Sequence, residues 1–138
     1  KMKSRGLDFT YQNMIENIND IAGIRVICPL KKDVFSVRDL VRNIPGVRIL
    51  KEKDYINNPK KSGYSSYHMI LEVPISLSNK HMYVKVEVQI RTMAMDFWAT
   101  LEHKLKYKPQ SEITKASSKE LVTCAKMVHK LDNKMMGF

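Results

Sequence analysis

Tyr83-Val84-Lys85-Val86-Glu87-Val88-Gln89-Ile90-Arg91-Thr92 is the stretch on which the fold turns. Side chains of a strand alternate between its two faces. Val84, Val86, Val88 and Ile90 therefore share one face, and Lys85, Glu87, Gln89 and Arg91 share the other. The apolar row secures the strand a place in a core. The polar row is then a flat strip of donors, acceptors and both charge signs. A half-exposed antiparallel strand with a solvated face accounts for the pattern without any function. A binding or catalytic strip is the alternative.

Upstream, Ile21-Ala22-Gly23-Ile24-Arg25-Val26-Ile27-Cys28 is apolar on both faces, as a central strand is, and Pro29 closes it. Before it, Tyr11, Met14, Ile15 and Ile18 stand at helical spacing, and Gly6 reads as the end of an earlier helix. Val34, Val37, Val41 and Ile44 mark an amphipathic helix that Pro45-Gly46 ends. A short strand follows over 47–50, then a loop over 51–66. A strand over 67–73 is halted by Pro74, and 76–80 forms a turn. Helices are predicted over 93–107 and 118–136. The order α-β-α-β-β-β-α-α predicts an α+β fold, a mixed β-sheet flanked by α-helices.

The 138 residues suit a single domain over 1–138, with enough chain to bury a core unaided. Because 43% are hydrophobic and 28% charged, the chain is globular rather than disordered or collagenous. It carries 24 Lys and Arg against 14 Asp and Glu, a net +10, which attracts polyanions without choosing among nucleotides, nucleic acid and anionic surfaces. No apolar run approaches the roughly 20 residues of a membrane span. The basic start Lys1-Met2-Lys3-Ser4-Arg5 has no apolar segment behind it, so it is no secretory signal. Starting at Lys1 rather than Met, the chain is expected to be truncated at its N-terminus. Cys28 and Cys124 lie in apolar surroundings, with no CxxC pair. They read as reduced thiols of a cytoplasmic protein, with no zinc site.

Several residues can carry chemistry. Asp20, just before the first strand, can cap the preceding helix. It can also converge with Glu87, where two carboxylates hold Mg²⁺, which takes oxygen ligands and keeps waters and phosphate oxygens. One of the pair can instead take a proton from an attacking hydroxyl. Arg25 interrupts an apolar strand, a costly placement unless it reaches a rim or a partner. It reads as an ion pair with a core carboxylate, or as a guanidinium that stacks on a base or holds a phosphate.

The loop around Lys51, Lys53, Lys60 and Lys61 is a solvated charged loop or a loose phosphate-binding loop, and not a Walker A. Tyr64 is a stacking platform or a buried anchor. His68 on a strand is more often structural. Phe97, Trp98, Leu101 and Leu105 read as core, and Glu102-His103 lacks the HExxH pattern. Leu121, Ala125, Val128 and Met135 give the last helix an apolar side that packs on the sheet or on another subunit.

Taken together, Asp20-Ile21-Ala22-Gly23-Ile24-Arg25, Asp54-Tyr55-Ile56, Pro59-Lys60-Lys61-Ser62-Gly63-Tyr64-Ser65-Ser66-Tyr67-His68, Glu87-Val88-Gln89-Ile90-Arg91-Thr92 and Phe97-Trp98-Ala99-Thr100-Leu101-Glu102-His103 resemble the synthetase domain of the RelA/SpoT family. Order and spacing are most similar to its short members, the small alarmone synthetases, well over 1–110 and loosely beyond.

The resemblance implies a nucleotidyltransferase-like sheet and a GTP diphosphokinase. That enzyme transfers pyrophosphate from ATP to the ribose 3′-hydroxyl of GDP or GTP, giving ppGpp or pppGpp. It implies Mg²⁺ on Asp20 and Glu87, with Glu87 also activating the 3′-hydroxyl. Arg25 would stack on adenine and Lys53 face the ATP phosphates. Tyr64 would stack on guanine, with Lys60, His68 and Gln89 near the acceptor nucleotide. Two departures stand out. The family's upstream Arg-x-Lys motif, which contributes to ATP binding, is absent, and Asp96 stands where relatives have Asn. No hydrolase pattern is present, so synthesis without degradation is expected. The other readings are a basic RNA-binding module and a non-catalytic guanine-nucleotide sensor. RNA or an alarmone as regulator, self-association into a homo-oligomer and no membrane complete the expected partners.

Overall fold

The computed structural model describes residues 22–106 and 115–137. The expected N-terminal helix, Asp20 and Tyr107 lie outside these residues. Four strands, β1 (Ala22–Cys28), β2 (Arg48–Asp54), β3 (Tyr67–Leu77) and β4 (Lys80–Thr92), form one sheet in the order β1-β4-β3-β2. β4 is parallel to β1 and antiparallel to β3, and β3 is antiparallel to β2. Three helices, α1 (Lys31–Arg42), α2 (Met93–Lys106) and α3 (Lys115–Met135), complete an α+β architecture. No helix among the described residues is long and apolar enough to cross a membrane.

The alternation in β4 settles the two faces. Val88 and Ile90 are buried, and directly across on β3 so are Met69 and Tyr67. Val34 of α1 is fully buried against this apolar face, with Phe35, Val37 and Val41 beside it. Removing side chains such as Met69 and Ile90 from water contributes about 1.5–3 kcal/mol each. The Asp33 carboxylate in the first turn of α1 accepts the Leu30 N–H at 3.2 Å, and Arg42 stands in its last turn, both favourable to the helix dipole. The turn after α1 closes with Val47 N–H on the Ile44 carbonyl, with Pro45 inside it and Gly46 at φ +82°. That is the chemistry of a type II turn, which needs a positive φ at its third residue.

Several sequence expectations are corrected. β1 is an edge strand among the described residues, not a central one, and Ile24 and Ile27 are 52% and 41% exposed. An apolar pattern reports the polarity a strand prefers around it, not how many neighbours it has. β2 extends to Asp54, so 51–54 are strand rather than loop. Alternating charges are acceptable there because β2 is also an edge. β3 continues through Pro74 to Leu77. The pairing with β2 ends at Arg48–Glu72, so beyond it, among the described residues, β3 has only β4 beside it and a missing N–H is tolerated. On α2, Trp98 and Met95 are buried, whereas Phe97 and Leu101 are exposed. The helix buries its i, i+3 pair and leaves the i, i+4 pair outside. On α3, Asp132 is buried, while Met135 is 41% exposed.

Thr92 joins β4 to both following helices. Its hydroxyl accepts the Met95 N–H at 3.1 Å, an N-cap for α2, and donates to Asp132 Oδ2 of α3 at 2.8 Å. Burial pushes the Asp132 carboxyl above its ordinary range, with the Thr92 hydroxyl working the other way. Trp98 adds a second tie, its indole N–H donating to the Leu121 carbonyl at 2.8 Å. Thr92→Val keeps the shape, loses the cap and strands a buried acceptor. A loss of about 2–3 kcal/mol in urea unfolding is expected. A loss below about 0.5 kcal/mol, the range of ordinary surface substitutions, would show that the tie is dispensable.

Candidate active site

The polar face of the sheet is built row by row from strand register. Gln89 of β4 is level with Arg25 of β1 on one side and with His68 of β3 on the other, and His68 is level with Lys53 of β2. Arg25, Gln89, His68 and Lys53 thus form one row across all four strands. The next row holds Gly23, Glu87, Ile70 and Lys51. At Gly23 nothing among the described residues lies within 4 Å of where a Cβ would stand, so the floor beside Glu87 is open.

Along β4 the polar side chains are linked. Gln89 Nε2 donates to Glu87 Oε1 at 2.7 Å, and Arg91 donates to Gln89 Oε1 at 2.6 Å. Asp96 in the first turn of α2 lies between two guanidiniums. Its Oδ1 is 3.4 Å from Arg25 and 3.6 Å from Arg91 Nε. Arg25 does pair with a carboxylate, but at the rim of the site, with its side chain 58% exposed. A cleft of about 460 Å³ opens between this face and α2, lined by Arg25, Tyr64, Gln89, Arg91, Asp96 and Thr100, with Glu102 and His103 further along the helix.

The loop between β2 and β3 brings Tyr64 to the cleft. Its neck is closed by Tyr55 N–H on the Ser66 carbonyl, and the Asp54 carboxylate accepts the Ile56 and Asn57 N–H groups, both at 2.9 Å. The tip is a tight turn, with Gly63 N–H on the Lys60 carbonyl and Lys60 N–H on the Tyr64 carbonyl. Gly63 has φ +102°, and a Cβ there would stand 2.6 Å from Ala125 Cβ and 3.2 Å from the Trp98 ring. Only glycine fits between loop and helices at this point. Tyr64, Tyr55 and His68 meet edge to face, and the Lys60 ammonium lies 4.9 Å from the Tyr55 ring centre and 5.2 Å from that of Tyr64.

Six of the residues singled out from sequence, Arg25, Lys60, Tyr64, His68, Glu87 and Gln89, fall on or beside this face. Of these, Arg25, Tyr64 and Gln89 line the cleft, Lys60, His68 and Glu87 stand behind it, and Lys53 shares the row of Gln89 and His68 on β2. Asp20 lies outside the described residues, so its convergence with Glu87 stays an expectation. Arg91, Asp96 and Tyr55 gain a weight that sequence reasoning did not give them. Arg91 was in phase with Glu87 and Gln89, a signal that was available. Asp96 stood out only as a departure from the family and Tyr55 only as part of a quoted motif, because the helix and the loop that carry them are brought over the face only by the fold. Among the described residues no three His, Cys, Asp or Glu side chains gather as a metal cage. Among the described residues the donor set is one carboxylate, Glu87, with open space at Gly23 beside it. That fits Mg²⁺, which is commonly held by one or two carboxylates together with substrate phosphates.

Tyr64 OH and His68 Nε2 share a hydrogen bond of 2.8 Å. Burial raises the Tyr64 hydroxyl above its ordinary value, opposed by Arg91. Burial also pushes the His68 imidazole below its ordinary 6.5, with Glu87 opposing and Lys60 and Arg91 adding to the shift. The unfolded chain therefore takes up this proton first. The stabilisation is present above the ordinary value and is lost as pH falls through the lowered one. Urea midpoints of the native chain and of His68→Gln should converge as pH falls from 7 to about 5. Parallel curves would show that His68 does not titrate in this way.

Comparison with known proteins supplies the lineage of this arrangement. The family model described as the region found in RelA / SpoT proteins matches residues 1–112. GTP pyrophosphokinase YwaC of Bacillus subtilis is 46% identical over 99% of this chain and 65% of its own length. The structure of small alarmone synthetase 2 from Bacillus subtilis superposes with a TM-score of 0.82 at 44% identity, covering 99% of this chain and 70% of that one. Small alarmone synthetase 1 from Bacillus subtilis, bound to its product pppGpp, gives 0.79 at 32% identity, covering 98% and 68%. The chain thus spans about two thirds of the length of these three proteins. Their names fit the enzyme reading rather than the RNA-binding or sensor alternative. A family match over most of the chain together with 46% identity to one of these proteins leaves one lineage, and the chain belongs to the RelA/SpoT family.

Proposed function

We propose that this chain is a GTP diphosphokinase domain that transfers pyrophosphate from ATP to the ribose 3′-hydroxyl of GDP or GTP, forming ppGpp or pppGpp in the cytoplasm. The observation that carries this reading is the cleft lined by Arg25, Tyr64 and Gln89, with Glu87 hydrogen-bonded to Gln89 beside it, in a chain 46% identical to a GTP pyrophosphokinase. The similarity to small alarmone synthetase 1, whose structure holds its product pppGpp, supports the choice of guanine nucleotide.

Each side chain has a task set by its place. Tyr64, held at the tip of its turn by Gly63, offers a flat ring for the guanine, with Lys60 beside it and His68 bracing its hydroxyl. Arg25, exposed at the far end of the same row, stacks on adenine, and Lys53 adds positive charge toward the ATP phosphates. Gln89 stands between the two bases and holds Glu87. Glu87 takes the proton of the 3′-hydroxyl. The 3′-oxygen forms its bond to the β-phosphorus while the bond from that phosphorus to the bridging oxygen of the α-phosphate breaks, and AMP leaves. Placement of both purines converts the encounter into an intramolecular displacement. Glu87, with Asp20, would hold Mg²⁺, which when bound offsets phosphate charge. On α3 the exposed stripe of Met127, Leu131 and Met135 supports self-association.

Turnover with ATP, Mg²⁺ and GDP or GTP, resolved by anion exchange, tests the reading. A new, more anionic guanine nucleotide is expected, and its absence would overturn the proposal. Glu87→Gln should lower kcat by about 100-fold or more, because it removes the proton acceptor. Tyr64→Ala should raise the KM for the guanine nucleotide about tenfold, the scale of one lost base stack. Tyr64→Phe should keep that KM close to native, since the ring rather than the hydroxyl does the stacking.

A further inference from the structure

Arg91 is 4% exposed, an expensive place for a permanent charge. It lies two residues from Gln89 and four from Glu87 on one strand face, so the three side chains stand in file along β4. Its guanidinium donates to Gln89 Oε1 at 2.6 Å, a short charge-assisted bond. Its Nε has no hydrogen-bond partner and faces Asp96 Oδ1 at 3.6 Å, and its carbon centre lies 5.9 Å from the Tyr64 ring centre.

From this we infer that Arg91 is a positioning residue, acting through the Gln89 amide to hold the Glu87 carboxylate in one orientation; the inference rests on the transfer reaction proposed above. A glutamine amide has an acceptor end and a donor end. With Arg91 on one side and Glu87 on the other, only one of its two orientations is satisfied. Flipping it sets an NH₂ against the guanidinium and a carbonyl against the carboxylate. The positive charge of Arg91 therefore chooses the amide orientation, and the amide pins Glu87 Oε1 at 2.7 Å. Oε2 is outside that bond, on a side chain level with Gly23 of β1. Asp96 balances the buried charge from the opposite side, so Arg91 stays on the sheet and does not swing into the cleft. Without Arg91 the amide is held from the Glu87 side alone, its far end is unanchored, and the carboxylate loses its fixed aim while the stacking groups keep theirs.

The test combines kinetics with a signal that does not need turnover. Arg91→Met, Arg91→Lys, Gln89→Leu and the double variant Arg91→Met with Gln89→Leu are assayed with ATP, Mg²⁺ and GDP. The Gln89 side-chain amide is followed by ¹⁵N NMR. Arg91→Met should lower kcat by about 10–100-fold, the range seen when a supporting partner is lost. Both KM values should stay within about twofold, because uniform binding is untouched. Arg91→Lys should recover part of kcat. Arg91→Met should add little in the Gln89→Leu background, since both act through one link. The two Gln89 amide protons should have shifts displaced from those of a free glutamine in the native chain and move toward the free-glutamine positions in Arg91→Met. A raised KM at unchanged kcat, additive effects in the double variant, or an unchanged amide signal would each overturn the inference. A native chain without turnover overturns the transfer reading, and the amide signal then still decides on the relay. If Arg91→Met fails to fold, Arg91→Lys decides, since a relay requires its amide signal and kcat to move together.

Discussion

The parallel pairing of β1 with β4 sets Gly23 level with Glu87 and Arg25 level with Gln89. A shift of one residue would turn each strand's side chains to the opposite face. The register is held from the other side of the sheet, where Val88 and Ile90 meet Met69 and Tyr67 under α1. Burial of those apolar groups is therefore what aligns the polar rows. The chemistry is carried by side chains that contribute little to the core, and their placement is inherited from side chains that do.

Most of this was readable from the β4 segment. Period-two alternation identified the buried and polar faces, and the motif resemblance supplied roles for Arg25, Tyr64, His68, Glu87 and Gln89. What could not be read was which elements would lie over the polar face. Asp96 is one charge on a helix until the fold puts it within 3.6 Å of two guanidiniums. Tyr55 is one loop aromatic until it meets Tyr64 and His68. These contacts depend on the path of a connection, which local pattern does not encode.

The misplaced boundaries have the same origin. Pro74 stops a strand only where its N–H would be needed, and pairing with β2 has already ended at Glu72. The charged run at 51–54 looks like loop until the edge position of β2 is known. Phe97 and Trp98 are adjacent aromatics of the same helix. One is 70% exposed and the other 2%, a difference of direction that composition cannot express.

The seat of Gly63 carries one more consequence. Its missing Cβ is the space that Ala125 and the Trp98 ring occupy. Positions 63, 98 and 125 therefore share a single volume, though they belong to a loop and two helices far apart in sequence. Their sizes are tied. A larger residue at 125 is tolerated only where the ring at 98 shrinks or the turn lifts away. Drift in the last helix is thereby limited by the fit of a loop that lies against it, and that loop carries the ring facing the cleft.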